Sequence, residues 1–285
     1  MMNPSKTSRL LFELSKNSRS TTKELSRHLN ISQQAVSYSI QNLIKQKTIT
    51  EMQTIIDPAK FGLINILTFF NFKSFDYQKT QEVKRTLKNN QWIVRVEEVS
   101  QGADLLVEYC VPNLSFFNKQ HRSLLYDYKD ELRYLETYVV IVKHHYTKNY
   151  LHKWAPETGE EVLSGDRESL EMNEHKIAIL KALAKDSRSP IITIAKETKL
   201  DPKTITRIKR QLEKQKVIRR YSTIFDHQAL DITREHLFIN LDSIDEQEER
   251  RLLEYCKQHK NIVSLTKLLG PYELLVTTER LDKDK

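Results

Sequence analysis

The chain has 285 residues, a formal net charge of +8 and two cysteines, Cys110 and Cys256, in unrelated contexts. That length allows about two domain-scale units with real cores, and two isolated thiols exclude a disulfide framework or a CxxC zinc pattern. No apolar run approaches a membrane span and "MMNPSKTSRLLFELSK" holds no long apolar stretch of a secretory signal, so a cytoplasmic location is expected and the basic excess favours a polyanionic partner.

In chain order, Leu10, Leu11 and Leu14 mark an amphipathic first helix. Ser20 is placed to cap a second helix that buries Leu25 and Leu29, and Ser32 to cap a third with Val36, Ile40 and Leu43 on one face. "TITEMQTII" alternates with period two and reads as a strand beside this helix-turn-helix, which makes the domain winged. Strand, helix, strand, strand, helix, strand follow between Leu63 and His145, with a tight turn at Gly102. That βαββαβ order predicts a ferredoxin-like sandwich.

The second half repeats the first. With Leu14 over Leu183, an offset of 169, "LSKNSRS" falls on "LAKDSRS", "LIKQKTITEMQTIID" on "LEKQKVIRRYSTIFD" and "DLLV" on "ELLV". One ungapped register over such a length indicates an internal duplication. Ser189-Pro190 and Asp201-Pro202 open the second and third helices of the second copy, and Ile205, Ile208 and Leu212 form the third helix's buried stripe. The second sandwich runs through "FINLD" and "YELLVTTE", and the sequence stops at Lys285, so that about thirty residues, the last helix and strand that the offset demands, are missing from the second copy. The expected fold is therefore α+β. Its domains are a winged helix-turn-helix over 1–60, a ferredoxin-like domain over 61–148, a linker over 149–172, a second winged helix-turn-helix over 173–229 and an incomplete ferredoxin-like domain over 230–285. The linker reading rests on "APETGEEVLSGDRES", which is rich in acids and carries Gly159 and Gly165.

The ordered set "LDPKTITRIKRQLEKQKVIRRYSTIFD" and "GPYELLV", with "ISQQAVSYSIQNLIKQKTI" and "GADLLV" in the first copy, resembles the Lrp/AsnC family of prokaryotic transcription regulators. The resemblance implies a winged domain on double-stranded DNA and a ferredoxin-like domain that drives homo-oligomer assembly and binds an amino-acid effector. It also implies a nucleoid-associated, cytoplasmic regulator that is not an enzyme and needs no cofactor. This chain departs from the family in being a tandem fusion, in its shortened second sandwich, and in Tyr38 and Ser39 standing where basic residues are usual.

Within that frame, Lys203, Thr204, Thr206, Arg207 and Arg210 are the outward positions of the second copy's recognition helix, and Arg219 and Arg220 are read as wing-side phosphate contacts. Thr206 and Arg207 are the base-edge candidates. In the first copy Gln33, Gln34, Ser37, Tyr38 and Gln41 offer hydrogen bonds with little charge, so this head is the weaker reader or an assembly piece. An effector site falls on Gly102, Asp104, Gly270, Tyr272 and Glu273, where the carboxylates would hold an amino group; the alternative is that the glycines serve the turn and the acids cap it. His144, His145 and His152 do not make a metal site, because adjacent strand residues face opposite ways. Two rivals share the domain set. Some proteins resembling paired or fused Lrp/AsnC units are siroheme decarboxylases, although no His and Arg constellation for that chemistry stands out in the sequence. The other rival is an architectural protein that binds DNA without sequence preference.

Overall fold

The computed structural model describes residues 4–74, 76–152, 157–166, 168–241 and 244–281. The first head is α1 (Pro4–Lys16), α2 (Thr22–Leu29) and α3 (Gln33–Lys45), followed by strand β1 (Ile49–Ile56). Helix α2 opens one residue later than expected, where Thr21 and Glu24 form a reciprocal capping box. Ser32 caps α3 through the Ala35 amide, and Val36, Ile40 and Leu43 face inward. Leu10, Leu14, Leu25 and Val36 are fully buried in this core, each contributing roughly 1.5–3 kcal/mol through removal from water.

After a 3-10 turn at Pro58–Phe61, the first sandwich is β2 (Ile64–Phe72), α4 (Tyr77–Asn89), β3 (Ile93–Glu98), β4 (Leu105–Val111), α5 (Leu114–Asp127) and β5 (Leu132–Tyr146). The expected linker is not featureless: it carries β6 (Glu160–Ser164), which pairs antiparallel with the end of β5. The second half repeats the plan with α6 (Glu174–Lys185), α7 (Ile191–Thr198), α8 (Pro202–Lys214), β7 (Ile218–Phe225), β8 (Ile232–Ile239), α9 (Glu246–Gln258), β9 (Ile262–Leu269) and β10 (Leu274–Leu281). The fold is thus α+β, with winged helix-turn-helix and ferredoxin-like units each present twice.

Strand pairing joins the two copies. The order in the large sheet is β3-β4-β2-β5-β9-β10-β8, and β1 pairs only with β7 among the described strands. Long β5 is the seam. Its first part pairs with β2 and its last part with β9. Leu67, Phe69, Leu106, Tyr138 and Val140 from the first copy and Leu268 and Leu275 from the second form one shared core. Strand β8 has β10 on one side and no described strand on the other.

The heads are crossed over as well. Alternation correctly gave "TITEMQTII" and "VIRRYSTIF" as strands, but each completes the other copy's head. Thr54 Oγ1 donates to the Leu183 carbonyl at 2.6 Å, and Thr223 Oγ1 to the Leu14 carbonyl at 2.9 Å. The backbone repeats the exchange: Ser18 N donates to Tyr221 O and Ser187 N to Met52 O. Each pair maps onto its counterpart at the offset of 169, so the chain folds about an internal pseudo-two-fold axis. Among the described residues no helix is long and apolar enough to cross a membrane.

Candidate nucleic-acid interface and a buried charged chamber

The duplicated "SR" of "NSRS" and "DSRS" is where the heads clasp. Ser18 and Ser187, both fully buried, share a hydrogen bond at 2.7 Å. Arg188 donates to the carbonyls of Ser18 at 2.6 Å and Ser20 at 3.3 Å. Arg19 answers with bonds to the carbonyls of Ser187 and Ser189. This clasp and the β1–β7 ribbon hold α3 and α8 at one mutual orientation.

Helix α8 is fixed by its start and its buried stripe. Asp201 accepts from the Lys203 and Thr204 amides at 2.9 Å each, Pro202 follows as first helical residue, and Ile205, Ile208 and Leu212 pack inward. That leaves Lys203, Arg207 and Arg210 exposed, with Thr204 and Thr206 half-buried. Pro202, Lys203, Thr206, Arg207 and Arg210 line one open hollow on this face. Thr206 Oγ1 donates to the Pro202 carbonyl at 2.8 Å. On α3, Gln33, Gln34, Tyr38 and Gln41 are exposed and Ser37 is half-buried. The two outer faces have the same shape and different chemistry, one cationic and one made of neutral amides and hydroxyls.

Arg219 and Arg220 lie elsewhere, which corrects their reading as wing-side phosphate contacts. They sit on β7, inside the ribbon. Arg219 donates from Nε and Nη2 to Asp57 Oδ2 at 3.0 and 2.6 Å. Asp57, fully buried, also accepts from the amides of Ala59 and Ser164. This is a structural ion pair. Arg220 is half-buried, and its Nε is buried with no hydrogen-bond partner among the described residues.

The residues expected to bind an effector divide into two groups. Asp104 Oδ2 accepts from the Phe72 amide at 2.8 Å, and Glu273 Oε2 from the Leu241 amide at 2.8 Å, at equivalent places in the repeat. Both carboxylates tie down their own sheets. Gly102 has φ +79°, which a hairpin turn there demands of glycine. Gly270 serves a close approach instead, since a Cβ would stand 2.6 Å from the Tyr138 ring. Gly102 and Tyr272, with Tyr138, His236 and Phe238, line a cavity of about 370 Å3 where the two copies meet; Asp104, Gly270 and Glu273 are not among its lining residues.

A cluster of His, Arg, Lys and Glu side chains that the sequence hid lies on strands of the large sheet, under the ribbon. Glu108 accepts from Asn65 Nδ2 at 2.6 Å, is bonded by Lys143, and pairs with Arg95 at 3.2 Å. Burial pushes its carboxyl up, but Lys143 and Arg95 outweigh that and hold it below the ordinary range. Burial, then the nearby charges of Arg220, Lys143, Arg95 and Arg234, keep the His145 imidazole neutral by lowering its pKa well below the usual value. Glu97 accepts from His236 Nε2 at 3.0 Å and pairs with Arg234 and Arg95. Glu279 is bonded by Lys148 and the Tyr150 hydroxyl, each at 2.6 Å. Burial raises Glu97 and Glu279, yet these donors and cations bring both to about 2. The clue in the sequence was charged residues spaced by two on otherwise apolar strands: Arg95 and Glu97, Lys143 and His145, Arg234 and His236. His144 faces the other way, onto Glu160 at 2.7 Å, and His152 packs on Phe12. Among the described residues no group of three or more His, Cys, Asp or Glu is placed to hold a metal.

Comparison with known proteins gives two kinds of match. A family described as "Winged helix-turn-helix DNA-binding" matches residues 5–50 and 172–219, so both heads are of that class. Among solved structures, the siroheme decarboxylase NirDL is similar over 97% of this chain and 81% of its own, with 14% identity and a TM-score of 0.59. That structure is a co-complex with an iron-uroporphyrin III analogue. A second NirDL structure matches at 15% identity over 98% of this chain and 83% of its own, also with a TM-score of 0.59. LrpC of B. subtilis is similar over 49% of this chain and 95% of its own, at 18% identity and a TM-score of 0.40. No curated protein matches the chain. At these identities the likeness is one of fold. It nevertheless corrects the expectation that the chain is not an enzyme: the architecture spanning nearly its full length is one that a siroheme decarboxylase also uses.

Proposed function

We propose that this chain is a DNA-binding transcriptional regulator that carries its own dimer within one polypeptide, with two unlike reading heads. The observation that carries the proposal is that one clasped pair of heads turns both recognition helices outward, α8 with Lys203, Arg207 and Arg210 exposed and α3 with Gln33, Gln34 and Gln41 exposed. Lys203, Arg207 and Arg210 supply the phosphate grip and an Arg fork for guanine, with Thr204 and Thr206 beside them. Gln33, Gln34, Ser37, Tyr38 and Gln41 supply neutral base contacts, with amides suited to adenine. The bound site is then asymmetric, where a homodimer of identical heads would take a palindrome. Selection of bound duplexes from a random pool, followed by anisotropy titrations across salt, tests this. A non-palindromic consensus supports it, whereas a pool with no enrichment would assign the protein to architectural, non-specific binding. The same reading includes a small amino-acid effector in the cavity lined by Gly102 and Tyr272, assembly of further copies through the open edge of β8, and work at the nucleoid in the cytoplasm.

A second reading is a tetrapyrrole decarboxylase, favoured by the fold shared with NirDL and by the Arg95, Lys143, His145, Arg220, Arg234 and His236 cluster. The space beneath the ribbon must widen to take a macrocycle, because the cavity there is about 360 Å3. Titrating siroheme into the purified chain and following its visible absorption decides the matter: an unchanged spectrum removes this reading.

A further inference from the structure

Below the ribbon, the first copy has a cavity of about 360 Å3 that the regulator reading does not use. Ile56, Pro58 and Phe61 roof it, Leu63, Val94 and Leu163 make apolar walls, and Asn65, Glu108, Lys143 and His145 stand on its polar side. Its size is at the lower end for small-molecule sites, which run from roughly 300 to 1,000 Å3. Four cations, Arg220, Lys143, Arg95 and Arg234, lie near His145, and of these Lys143 lines the cavity itself. Glu108 is the buried acid among them, and it is already fully engaged by Asn65, Lys143 and Arg95. Arg220, whose buried Nε has no hydrogen-bond partner among the described residues, feels the opposite charge of Glu161. A buried guanidinium donor without an acceptor is costly, and a ligand oxygen relieves it.

The corresponding place in the second copy has different chemistry. At the offset of 169, Cys110 becomes Glu279 and Asn65 becomes Arg234. Glu279 draws in Lys148 and the Tyr150 hydroxyl, at 2.6 Å each, and buries Tyr150 against the first head's core. In that second copy Glu279 is fully engaged, while Arg234 Nε stands 3.7 and 3.8 Å from Glu97 and Glu279 with no hydrogen-bond partner among the described residues. The first half keeps a cavity, and Arg220, contributed by β7, keeps an Nε with no hydrogen-bond partner among the described residues.

We infer that the cavity between the ribbon and the first sandwich is a binding site for one small amphipathic anion per chain, a carboxylate head set toward Arg220, Lys143 and His145 and an apolar body against Ile56, Phe61, Leu63 and Leu163. A planar carboxylate matches the guanidinium fork and the ammonium together. Neutral His145 can donate to the same head without adding charge. The inference does not depend on the outer faces of α3 and α8; its site is the cavity that the decarboxylase reading would fill with a macrocycle, and it assigns a smaller ligand there.

The test uses the full chain with anilinonaphthalene sulfonate as fluorescent anionic probe, displaced by octanoate or by octanol, which share a chain length and differ in charge. The expected result is saturation at one probe per chain, with octanoate displacing it at concentrations at least about tenfold below octanol. Arg220→Met should erase that tenfold preference. Val94→Trp, at the exposed mouth, should abolish probe binding while leaving the fold intact by circular dichroism. Equal displacement by octanol and octanoate from the unaltered chain overturns the anion assignment, and that result needs no variant to fold. Undiminished one-to-one binding by Val94→Trp overturns the location.

Discussion

The two halves of this molecule share a backbone plan and differ in where they place their charge. In the second half Lys203, Arg207 and Arg210 lie outside along α8, while Arg219, Arg220 and Arg234 turn inward and Glu279 binds Lys148 and Tyr150. In the first half α3 is neutral outside, and the charge lies within, around Glu108, Lys143 and His145. The lesson is that basic residues in a repeat cannot be assigned to DNA by sequence position alone. Arg219 and Arg207 are twelve residues apart, and one is locked against Asp57 while the other is open to solvent.

The sharpest way to break this comparison is Asp57→Ala. It strands the Arg219 guanidinium in a buried place, at an expected cost of about 3–5 kcal/mol in a urea unfolding titration. If Arg219 were instead a phosphate contact, the variant would keep its stability and change its salt dependence. Next comes acid. Glu97 and Glu279 have folded pKa values of about 2 against an ordinary 4.5. Their unfolded forms therefore take up protons first as pH falls, so their stabilisation is complete above about 4.5 and is lost on the way down to 2. For fully buried Glu279 this is on the order of 3 kcal/mol, and Glu279→Gln should flatten the melting temperature's fall over that window. A fall of unchanged steepness would place the acid-sensitive carboxylates elsewhere.

Smaller effects separate the heads. Arg207→Ala with Arg210→Ala should weaken DNA binding on the order of tenfold and reduce the salt slope by about two. Gln34→Ala with Gln41→Ala should leave the slope alone and relax base preference in one half of the selected site, by roughly 1–3 kcal/mol of discrimination for each base left unread. Equal slope changes from both pairs would mean that the heads are equivalent readers.

Much of the fold was legible because it rests on local patterns: the stripes of Val36, Ile40 and Leu43 and of Ile205, Ile208 and Leu212, and the cap at Asp201. The repeat itself announced the second copy. Partner choice was not legible. Alternation identifies β1 and β7 as strands, but nothing in a period of two says that they pair with each other. The strand at Glu160–Ser164 was hidden by its acids and flanking glycines, which read as linker. The chamber drew residues from β3, β4, β5, β7 and β8, and each strand alone presented its charges as an ordinary solvent face. The clasp did leave a trace, since "NSRS" and "DSRS" were among the best-kept stretches of the repeat, although their role in joining the heads needed coordinates.

The clasp between Ser18, Arg19, Ser187 and Arg188 also sets how the protein responds to scarcity. Two separate subunits must find each other before they can grip two half-sites, so dilution robs them of affinity as the square of their concentration. Here the second head is always present at the first, tethered through the same chain and held in register by reciprocal bonds. On the regulator reading, occupancy of a target should therefore rise in simple proportion to the number of molecules, with no threshold below which the pair of heads falls apart.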